Sequence, residues 1–499
     1  MTRWPGSGMA IHRFAGVLVG LFAFDNLLLL AFLGKLTPVV AVVGGALAAC
    51  LVALIVREER SSDPPVRISV RTLATCCAVA AVLLILGGEG RFLYANFDWQ
   101  VRDAVLADMG GNRWPYAYGI DGTPHVLRAP IGMYLVPALV GGASQAGRDL
   151  ALLAANSVMF GLLLALAAPL FEARSRRMAL AIFVFFSGLD VVGTAIIAAT
   201  GHYASFEHLE RWMNARQYSS TITQLFWVPQ HAFAGWAAAV FYLLWRRGLI
   251  GPASFVAVIP LTALWSPLAL LGVIPFAAFA GVRLLVTRQV NMALIGIAAL
   301  SLALAMPALV YLVADSGQIA SGFQWDGLAR YAVFIVLEAG LYLGLVWVLR
   351  VPVALDRPTF AIVTGALLLI PLYGIGDGED FMMRASIMPL AILSYFVATA
   401  VTVASPASRV RHVLLVVLLI GAVTGLKEVV RVVGTRASPP PRCTLPDVWT
   451  KTGERISPIG IYVAQVTALP DWLKPDVPVV IARTPAGQRC WERDWATPR

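Results

Sequence analysis

Long apolar runs, each about the length of a membrane-crossing helix, constrain this chain more than any other feature. A helix needs about 20 apolar residues to cross the hydrocarbon core of a bilayer. A window of that length predicts about thirteen such helices, at 14–34, 37–56, 72–88, 149–171, 179–200, 229–246, 250–266, 268–285, 291–313, 331–349, 359–375, 385–404 and 412–426. Charged residues make up only 13% of the chain, whereas soluble globular proteins average about 25%. The sequence therefore predicts an all-α polytopic membrane protein.

Arginines in the short connections indicate which side of the membrane each connection faces. With a cytoplasmic N-terminus, every second connection is short and rich in arginine, which is the positive-inside pattern. These predicted cytoplasmic arginines are Arg3, Arg13, Arg57, Arg60, Arg67, Arg71, Arg174, Arg176, Arg177, Arg246, Arg247, Arg283, Arg288, Arg350, Arg357, Arg409 and Arg411. The predicted outer connections are 89–148, 201–228, 314–330, 376–384 and the tail from 427. We therefore expect the longest and most polar connections outside the cytoplasm.

The net charge of +10 comes almost wholly from arginine. Because the arginines are scattered through turns rather than clustered, they fit membrane topology and do not indicate nucleic-acid binding. The chain has no P-loop, GxGxxG, HExxH or paired CxxC motif, so nucleotide-driven transport has no sequence support. Residues 1–13 precede the first span without a small-residue cleavage site, so we expect that span to be retained rather than removed as a signal peptide.

The pattern predicts three regions. Residues 1–71 form an N-terminal transmembrane hairpin and a cytoplasmic loop, and 72–426 form a transmembrane core that carries the outer loops 89–148 and 201–228. Within the first outer loop, the short apolar segment 130–141 predicts an interfacial or partly inserted helix. Residues 427–499 predict a small outer lobe with strands, because short apolar runs alternate there with turn residues. Cys443 and Cys490 lie in this lobe, and a disulfide between them is expected in an oxidising compartment.

The second outer loop, 201–228, has an amphipathic segment. Its apolar residues recur at helical spacing, and they are Phe206, Leu209, Trp212 and Met213. Its polar residues lie on the opposite face, and they are Glu207, His208 and Arg211. The spacing predicts a helix that lies flat at the headgroup level. Such a helix either borders a substrate cavity or is only an anchor.

The most polar long stretch in the first half of the chain is FDWQVRDAVLADMGGNRWP, residues 97–115. It predicts a helix that begins with Asp98 as N-cap and ends at Gly110–Gly111. Asp98 and Arg102 are four residues apart and share a helix face. An exposed pair of this kind contributes only about 0.3–0.5 kcal/mol, so stability is a weak reason for its position. A carboxylate at the membrane boundary can accept a proton from an acceptor hydroxyl or amide, which makes Asp98 the candidate catalytic base.

Arginines on the same predicted side supply the second half of this chemistry, since a planar guanidinium binds phosphate through two hydrogen bonds. The candidates for binding a donor phosphate are Arg102, Arg113, Arg211 and Arg384. Arg384 has a local alternative, because Asp380 four residues earlier could pair with it. Carbohydrate is expected to stack on Trp99, Trp114 or Trp212. The other candidate cavity residues are Asp103, Asp190, His202, Glu207, Tyr218 and Gln224.

In this layout, with a cytoplasmic N-terminus and a large outer loop that opens on Asp98, the chain resembles the GT-C class of integral membrane glycosyltransferases. Protein O-mannosyltransferases and aminoarabinose transferases belong to that class. The resemblance implies that Asp98 is the catalytic base and that the donor is a polyprenyl-phosphate sugar. The chain departs from the pattern because its loop follows the third span, so that the first two spans would be an added hairpin.

Four stretches also resemble a group of bacterial multi-spanning membrane proteins with a DWxx(H/R) motif in an outer loop. They are FDWQVRDAVLADM…WP, FFSGLDVVGT, HLERWMNARQYSSTITQLFWV and DFMMRASIMPL. That group has a His where this chain has Arg102, so no role of that His is carried over. The resemblance implies a GT-C-like layout in a bacterial inner (plasma) membrane and no particular activity.

Charged residues inside predicted spans raise a separate question. A charge at the bilayer centre costs about 2.5–3.5 kcal/mol on insertion scales. Asp190 therefore either borders a cavity or pairs with an arginine, or it is protonated or satisfied by Ser and Thr hydroxyls. Glu338 and Asp25 lie in spans as well. No cofactor is indicated, although a divalent metal stays an alternative at the outer-facing His202, Glu207, His208 and His231, which lack a tight ligand spacing.

Two other functions remain as alternatives to sugar transfer. A transporter or flippase of lipid-linked saccharides should line its midplane with polar residues and often has repeated halves, and a polysaccharide polymerase also uses outer-loop arginines. Because polarity is concentrated on one face of this chain, we expect an enzyme. The predicted reaction is transfer of a sugar from a polyprenyl-phosphate donor in the bilayer to an acceptor of unspecified chemistry outside the cytoplasm.

Overall fold

Residues 8–58, 66–201, 206–213, 216–350, 356–376, 378–452, 459–485 and 487–498 of the 499-residue chain are described by a computed structural model. It is predominantly helical, at 68%. The helices of the first part are Ile11–Phe32 (α1), Pro38–Glu58 (α2), Val70–Leu86 (α3), Asp98–Gly111 (α4), Gly132–Val140 (α5), Gln145–Ala167 (α6), Arg176–Val184 (α7) and Asp190–Ala199 (α8). Those of the middle are Thr221–Trp227 (α9), Pro229–Arg246 (α10), Ala253–Leu261 (α11), Pro267–Val286 (α12) and Met292–Val313 (α13). Those of the last part are Leu328–Ile335 (α14), Leu341–Leu349 (α15), Arg357–Leu369 (α16), Asp380–Ala385 (α17), Ile387–Val403 (α18), Arg409–Gly434 (α19) and Leu445–Thr452 (α20).

Long apolar helices confirm the membrane character of the chain. Within the described ranges, seven helical segments are long and apolar enough to cross a membrane. They are Ile11–Phe32, Pro38–Glu58, Gln145–Leu170, Pro267–Val286, Met292–Val313, Leu328–Leu349 and Arg409–Gly434. The segment Leu328–Leu349 joins α14 to α15 through one π-helical stretch, Val336–Gly340. Five shorter apolar helices overlap five of the six other predicted spans, and α10 overlaps the sixth. Every predicted span therefore contains a helix, but by this criterion fewer than thirteen of the described helices are long and apolar enough to cross a membrane.

One predicted span, 179–200, is broken. The chain leaves α7 at Val184 and enters α8 at Asp190, so the predicted mid-span Asp190 is a helix start. The freed backbone groups find partners on other elements: the Leu189 amide donates to the Leu337 carbonyl at 3.0 Å, and the Phe186 carbonyl accepts from the Thr221 amide at 3.0 Å. Irregular backbone inside a helical bundle is tolerated where neighbouring helices satisfy it in this way.

The predicted flat helix at 206–213 is wrong. The only regular structure there is a 3-10 turn, Leu209–Arg211. Trp212 is buried and donates through Nε1 to Glu338 Oε1 at 2.7 Å, and Phe206 is exposed. Tertiary contacts therefore override the local helical pattern, because burying the Trp212 indole against the bundle needs a different backbone path.

The first long loop, 89–148, and the C-terminal tail fold together. The strands are Met9–Ala10 (β1), Arg67–Ile68 (β2), Tyr116–Ile120 (β3), Thr123–Leu127 (β4), Ser321–Phe323 (β5), Tyr373–Ile375 (β6), Val463–Gln465 (β7) and Val479–Ile481 (β8). A four-stranded sheet has the order β7-β4-β3-β8, with β4 antiparallel to β3 and β7 and with β8 parallel to β3. Strands of the tail thus flank a hairpin of the loop, and we call this joint unit, formed by 89–131, 435–452, 459–485 and 487–498, the lobe.

Two further links hold the lobe together. Asp108 of α4 accepts from the Leu445 amide at 2.8 Å and from the Tyr118 hydroxyl at 2.9 Å. Cys443 and Cys490 form a disulfide, as the sequence predicts. The tail is therefore bound to the loop by a shared sheet, and α19 runs on to Gly434 before the lobe begins, eight residues beyond the predicted end of that span.

The predicted short helix at 130–141 is α5, Gly132–Val140, with nine residues. At 1.5 Å per residue it is about 14 Å long, which is too short to cross a bilayer. It lies between the lobe and α6. The lobe therefore rests on the end of the bundle where α3 ends and α6 begins.

Candidate functional site

The backbone that leads into α4 is fixed from two sides. The carbonyl of Phe226, near the end of α9, accepts from Asn96 Nδ2 and from Trp99 Nε1, both at 2.7 Å. From the lobe, Trp495 Nε1 donates to the Ala95 carbonyl at 2.8 Å. The start of α4 is therefore held between the helical bundle and the C-terminal tail, which fixes the position of the residue that follows.

Asp98 is the first residue of α4 and not its N-cap, which is Phe97. Its carboxylate makes no capping bond, and its own amide donates to Asn96 Oδ1 at 3.1 Å. The side chain is 36% exposed, and Oδ2 lies 3.4 Å from Arg102 Nη2. The predicted capping role is thus wrong, and the carboxylate is accessible and only loosely paired.

Arg102 lies beneath this carboxylate and is almost wholly buried, with 4% of its side chain exposed. It lies beside the Tyr134 and Tyr462 side chains. Its Nε atom has no hydrogen-bond partner. An arginine stays protonated in proteins, so this buried guanidinium has one long contact with a carboxylate and unused donor capacity.

A second Asp–Arg pair lies at the same place. Arg384 Nη1 donates to Asp380 Oδ1 at 2.6 Å across one turn of α17. The Arg384 side chain is 12% exposed and that of Asp380 is 34% exposed. The alternative that the sequence left open, pairing of Arg384 with Asp380, is therefore present, and it repeats the arrangement of Asp98 and Arg102.

Tyr462 of the lobe lies within electrostatic reach of both pairs. Burial raises the pKa of the Tyr462 hydroxyl; Arg102 and Arg384 oppose this shift, and Asp98 and Asp380 add to it. One hydroxyl therefore lies within electrostatic reach of all four charged groups. We call these five residues, Asp98, Arg102, Asp380, Arg384 and Tyr462, the open site.

A basic surface flanks the open site on the side of the second loop. Burial and the nearby Arg431, Arg211 and Lys427 lower the pKa of His208 to about 4, while Asp98 acts in the opposite direction. His208 is therefore neutral at pH 7, and its ring contacts Trp227 edge to face at 5.2 Å. The predicted phosphate ligand Arg211 is thus a neighbour of His208, on the flank of the site rather than in it.

This basic flank is held in place by α19. Arg431 donates to Glu428 Oε1 and to the Glu207 carbonyl, both at 2.6 Å. Its guanidinium lies over the Trp227 ring, 5.7 Å from the centroid. Glu207, a predicted cavity residue, contributes its carbonyl here and has an exposed side chain. Arginines on two sides of an accessible carboxylate favour a phosphate-bearing ligand.

Two predicted site residues lie at the far end of α4. The helix places Gly111 about 20 Å from Asp98 at 1.5 Å per residue, and Arg113 follows beyond it with an exposed side chain. Trp114 donates through Nε1 to the Met109 carbonyl at 2.7 Å and packs edge to face on Phe32. Neither the proposed phosphate contact of Arg113 nor sugar stacking on Trp114 fits this position.

Two others on α4 are structural. Trp99 is 2% exposed, with its indole bonded to the Phe226 carbonyl, so no ligand can stack on it. Asp103 is also buried and pairs with Arg91 Nη1 at 2.9 Å. The remaining donors of Arg91 bind Asp149 at 2.5 Å and the Pro439 carbonyl at 2.9 Å. Asp103 therefore links α4 to α6 and to the tail, and it does not line a cavity.

The remaining predicted cavity residues are buried away from the open site. Asp190 is fully buried and accepts from Ser187 Oγ at 2.7 Å and Thr424 Oγ1 at 2.9 Å. Tyr218 donates to the Leu367 carbonyl at 2.7 Å, and Gln224 donates to the Ser219 carbonyl at 2.7 Å. Asp190 therefore accepts hydrogen bonds from Ser and Thr hydroxyls, which is one of the predicted alternatives, and among the residues described it does not pair with an arginine. His202 lies outside the described residues.

Sequence reasoning missed Tyr462, Lys427 and Arg431. Tyr462 belongs to the open site but is separated from Asp98 by most of the chain, and no local motif marks it. Arg431 and Lys427 were counted with the tail, whereas α19 continues through both. A helical pattern that continues through 409–434 was the signal that would have placed both residues on this helix.

In the part of the chain that the structure describes, no group of three or more His, Cys, Asp or Glu side chains could hold a metal ion. Comparisons of the chain with protein families, with curated proteins and with solved structures find no match.

Proposed function

We propose that this chain is a membrane glycosyltransferase of GT-C type, which moves a sugar from a polyprenyl-phosphate donor to an acceptor at the extracytoplasmic face of a bacterial inner membrane. The observation that carries the proposal is the open site: two Asp–Arg pairs and a tyrosine converge at one end of an apolar bundle. A lipid-phosphate sugar in the bilayer would present its phosphate at headgroup depth, beside such a site.

The charges of the site suit the two halves of the reaction. Arg102 and Arg384 have guanidinium groups that can bind the phosphate and stabilise the charge that develops on it in the transition state. Asp98 is accessible enough to meet an acceptor, and it is fixed through Asn96 and Trp99. Fixed donors and a fixed base need little reorganisation during the reaction.

The proposed step is a single displacement at the anomeric carbon. The acceptor oxygen or nitrogen forms a bond to that carbon as the bond between the carbon and the phosphate oxygen breaks. The electron pair of the broken bond stays on the polyprenyl phosphate, whose added charge Arg102 and Arg384 balance. The acceptor proton passes to the Asp98 carboxylate, which releases it to water afterwards.

The proposal includes a topology of about thirteen spans with the N-terminus in the cytoplasm. In that topology the lobe lies outside, together with the open site. The test uses Asp121→Cys in the exposed turn between β3 and β4, in a chain whose Cys50, Cys76 and Cys77 are replaced by alanine. A membrane-impermeant thiol reagent added to intact cells should label this cysteine, and labelling only after lysis would overturn the topology.

Activity is tested by supplying the purified chain with radiolabelled polyprenyl-phosphate sugars and a panel of acceptors. We expect transfer by the wild type and a loss of about 10²- to 10⁴-fold in Asp98→Asn, the usual contribution of a general base. Asp121→Asn, an exposed aspartate of the same outer loop, is the matched control and should transfer at the wild-type rate. Equal rates for the wild type and Asp98→Asn would remove Asp98 from the mechanism.

A second candidate, a flippase for lipid-linked saccharides, is favoured by one observation. Asp190, Glu210 and Glu338 are all buried, and no arginine or lysine forms an ion pair with any of them within the described ranges. Intramembrane acids often belong to ion or proton relays of transporters. Translocation of a fluorescent lipid-linked saccharide in proteoliposomes, lost in Asp190→Asn but retained in Asp98→Asn, would favour this function over sugar transfer.

A further inference from the structure

A cavity lies at the opposite end of the bundle from the open site. It has a volume of about 380 Å³ and is lined by residues of α3, α6, α7, α10 and α18. Arg71 lines it at the first turn of α3, whereas Asp98 follows the last turn of that helix. With 17 residues, α3 separates the two places by about 25 Å. The cavity is therefore distinct from the open site.

The walls of this cavity are apolar. Phe160 and Leu164 of α6, Phe183 of α7, and Trp236 and Leu243 of α10 line it. Pockets of about 300–1,000 Å³ with such walls are typical of small-molecule sites. A free phosphate or a sugar would gain nothing from these walls, so an occupant needs an apolar body.

One end of the cavity is basic. Arg71, Arg176 and Arg177 line it there, together with Thr72 and Thr75. Arg71 and Arg177 are exposed, so this end reaches the protein surface. Guanidinium groups are donors that bind a phosphate group well.

Two of the arginines at this end lack carboxylate partners among the residues described. Neither Arg71 nor Arg177 forms an ion pair, and Glu172 nearby pairs with Arg174 at 2.9 Å. Arg176 donates through Nε to the Ala168 carbonyl at 3.0 Å. The charges of Arg71 and Arg177 at the mouth are thus not balanced by any carboxylate among the residues described.

We propose that this cavity binds an anionic phospholipid, with an acyl chain between α6, α7 and α10 and the phosphate at Arg71 and Arg177. Charge complementarity selects the anionic headgroup, and the apolar walls select a lipid over a soluble phosphate. The site does not depend on the proposed sugar transfer. In the proposed topology it faces the cytoplasmic leaflet, where basic residues at the membrane surface each contribute about 1 kcal/mol to binding of anionic lipid.

Native mass spectrometry of the full-length chain in detergent tests the proposal. The probes are dioleoylphosphatidylglycerol, dioleoylphosphatidylcholine and inorganic phosphate. We expect one tightly bound phosphatidylglycerol per chain, much weaker phosphatidylcholine binding and no retained phosphate. The double variant Arg71→Gln/Arg177→Gln should weaken phosphatidylglycerol binding by about 25-fold, or about fivefold for each arginine.

Two further variants make the result specific. Arg57→Gln/Arg409→Gln removes two exposed arginines outside the cavity and should leave phosphatidylglycerol binding unchanged. Ala391→Trp fills the cavity while keeping its arginines and should abolish tight binding. Added phosphatidylglycerol should raise the thermal unfolding midpoint of any folded variant that binds it, and this rise is a second measure of binding. Equal loss in both arginine double variants, or undiminished binding by Ala391→Trp, would overturn the proposal.

Discussion

Two aspartates of α4, Asp98 and Asp103, lie five residues apart and pair with arginines in different ways. Asp98 is 36% exposed and lies 3.4 Å from a single arginine, Arg102. Asp103 is 7% exposed and shares Arg91 with Asp149, at 2.9 Å and 2.5 Å. The first group leaves the Nε donor of its arginine unused, and the second has a partner for each of the three guanidinium nitrogens of its arginine.

One helix therefore has an accessible, loosely paired aspartate and a buried aspartate in an ion-pair cluster. Buried ion pairs need several short contacts because the cost of removing charges from water is large. Arg91, Asp103 and Asp149, which we call the closed cluster, meet this requirement and join α4 to α6. Asp98 and Arg102 do not, so their pair is better suited to exchanging partners with a ligand.

The largest effect on stability is expected for Arg91→Met. It leaves Asp103 and Asp149 buried without their cation, which should lower the free energy of unfolding by about 3–5 kcal/mol. Arg102→Met removes one long contact with the accessible Asp98 and a hydrogen bond with Tyr134, so it should cost less, about 1.5–3 kcal/mol. Thermal or denaturant unfolding in the same detergent measures both. Similar losses in the two variants would remove the distinction between the open site and the closed cluster.

The next effect concerns donor binding. Arg384→Gln and Arg102→Gln each remove a charged hydrogen-bond donor to the phosphate, worth about 1.5–3 kcal/mol, and should raise the donor KM by about 10- to 100-fold. The unfolding midpoint should barely change. Arg113→Gln, at the far end of α4, is the matched control with an unchanged KM. A KM unaffected by both substitutions would show that the phosphate lies elsewhere.

A smaller effect depends on pH and belongs to the closed cluster. Burial raises the pKa of Asp103 from its ordinary value of 3.8 to about 7, with Arg91 opposing and Asp149 adding to the shift. The folded state therefore keeps a proton that the unfolded chain releases. The contribution of Asp103 to stability falls as pH rises from about 4 to about 7 and is constant above that.

Asp103→Asn removes this titration. The variant should be less stable relative to the wild type at pH 5 than at pH 8, because only at pH 8 does the wild type bury the charged carboxylate. Unfolding midpoints of both proteins at the two pH values give the comparison. A difference between variant and wild type that is the same at pH 5 and pH 8 would contradict the raised pKa.

The smallest effect is expected for Tyr462→Phe. Its hydroxyl lies within electrostatic reach of both arginines of the open site, and one neutral hydrogen bond contributes about 0.5–1.5 kcal/mol. The donor KM should rise about two- to tenfold, with an unchanged unfolding midpoint. Trp449→Phe is a control for the packing around Tyr462, since the two rings lie 5.1 Å apart. A drop in stability without a change in KM would make Tyr462 structural.

Local and apolar features of this molecule could be predicted from its sequence. The helix α10 has the predicted bounds, 229–246, because a long apolar run between Pro229 and Arg246 needs no tertiary information. The pair of Asp98 and Arg102 was found because i, i+4 spacing is itself local. The disulfide between Cys443 and Cys490 followed from composition and compartment.

Features that depend on distant partners could not be predicted. Asp103 is paired with Arg91, and nothing in its own neighbourhood distinguishes it from a solvated residue. Tyr462 reaches Asp98 only because β7 joins the loop hairpin through a sheet. The break before Asp190 lies in an apolar run whose pattern predicts a continuous helix. It is stabilised by backbone hydrogen bonds to other elements. Periodicity carries no information about such partners.

We propose that Asp98 is the catalytic base, whereas Asp103, five residues later on the same helix, stabilises the fold. The most direct test measures the transfer rate at saturating donor and the unfolding midpoint for Asp98→Asn and Asp103→Asn side by side at pH 7. We predict that Asp98→Asn keeps its unfolding midpoint and loses about 10²- to 10⁴-fold in rate, whereas Asp103→Asn keeps the rate of the wild type. Full activity in Asp98→Asn, or an equal loss in both variants, would contradict the account.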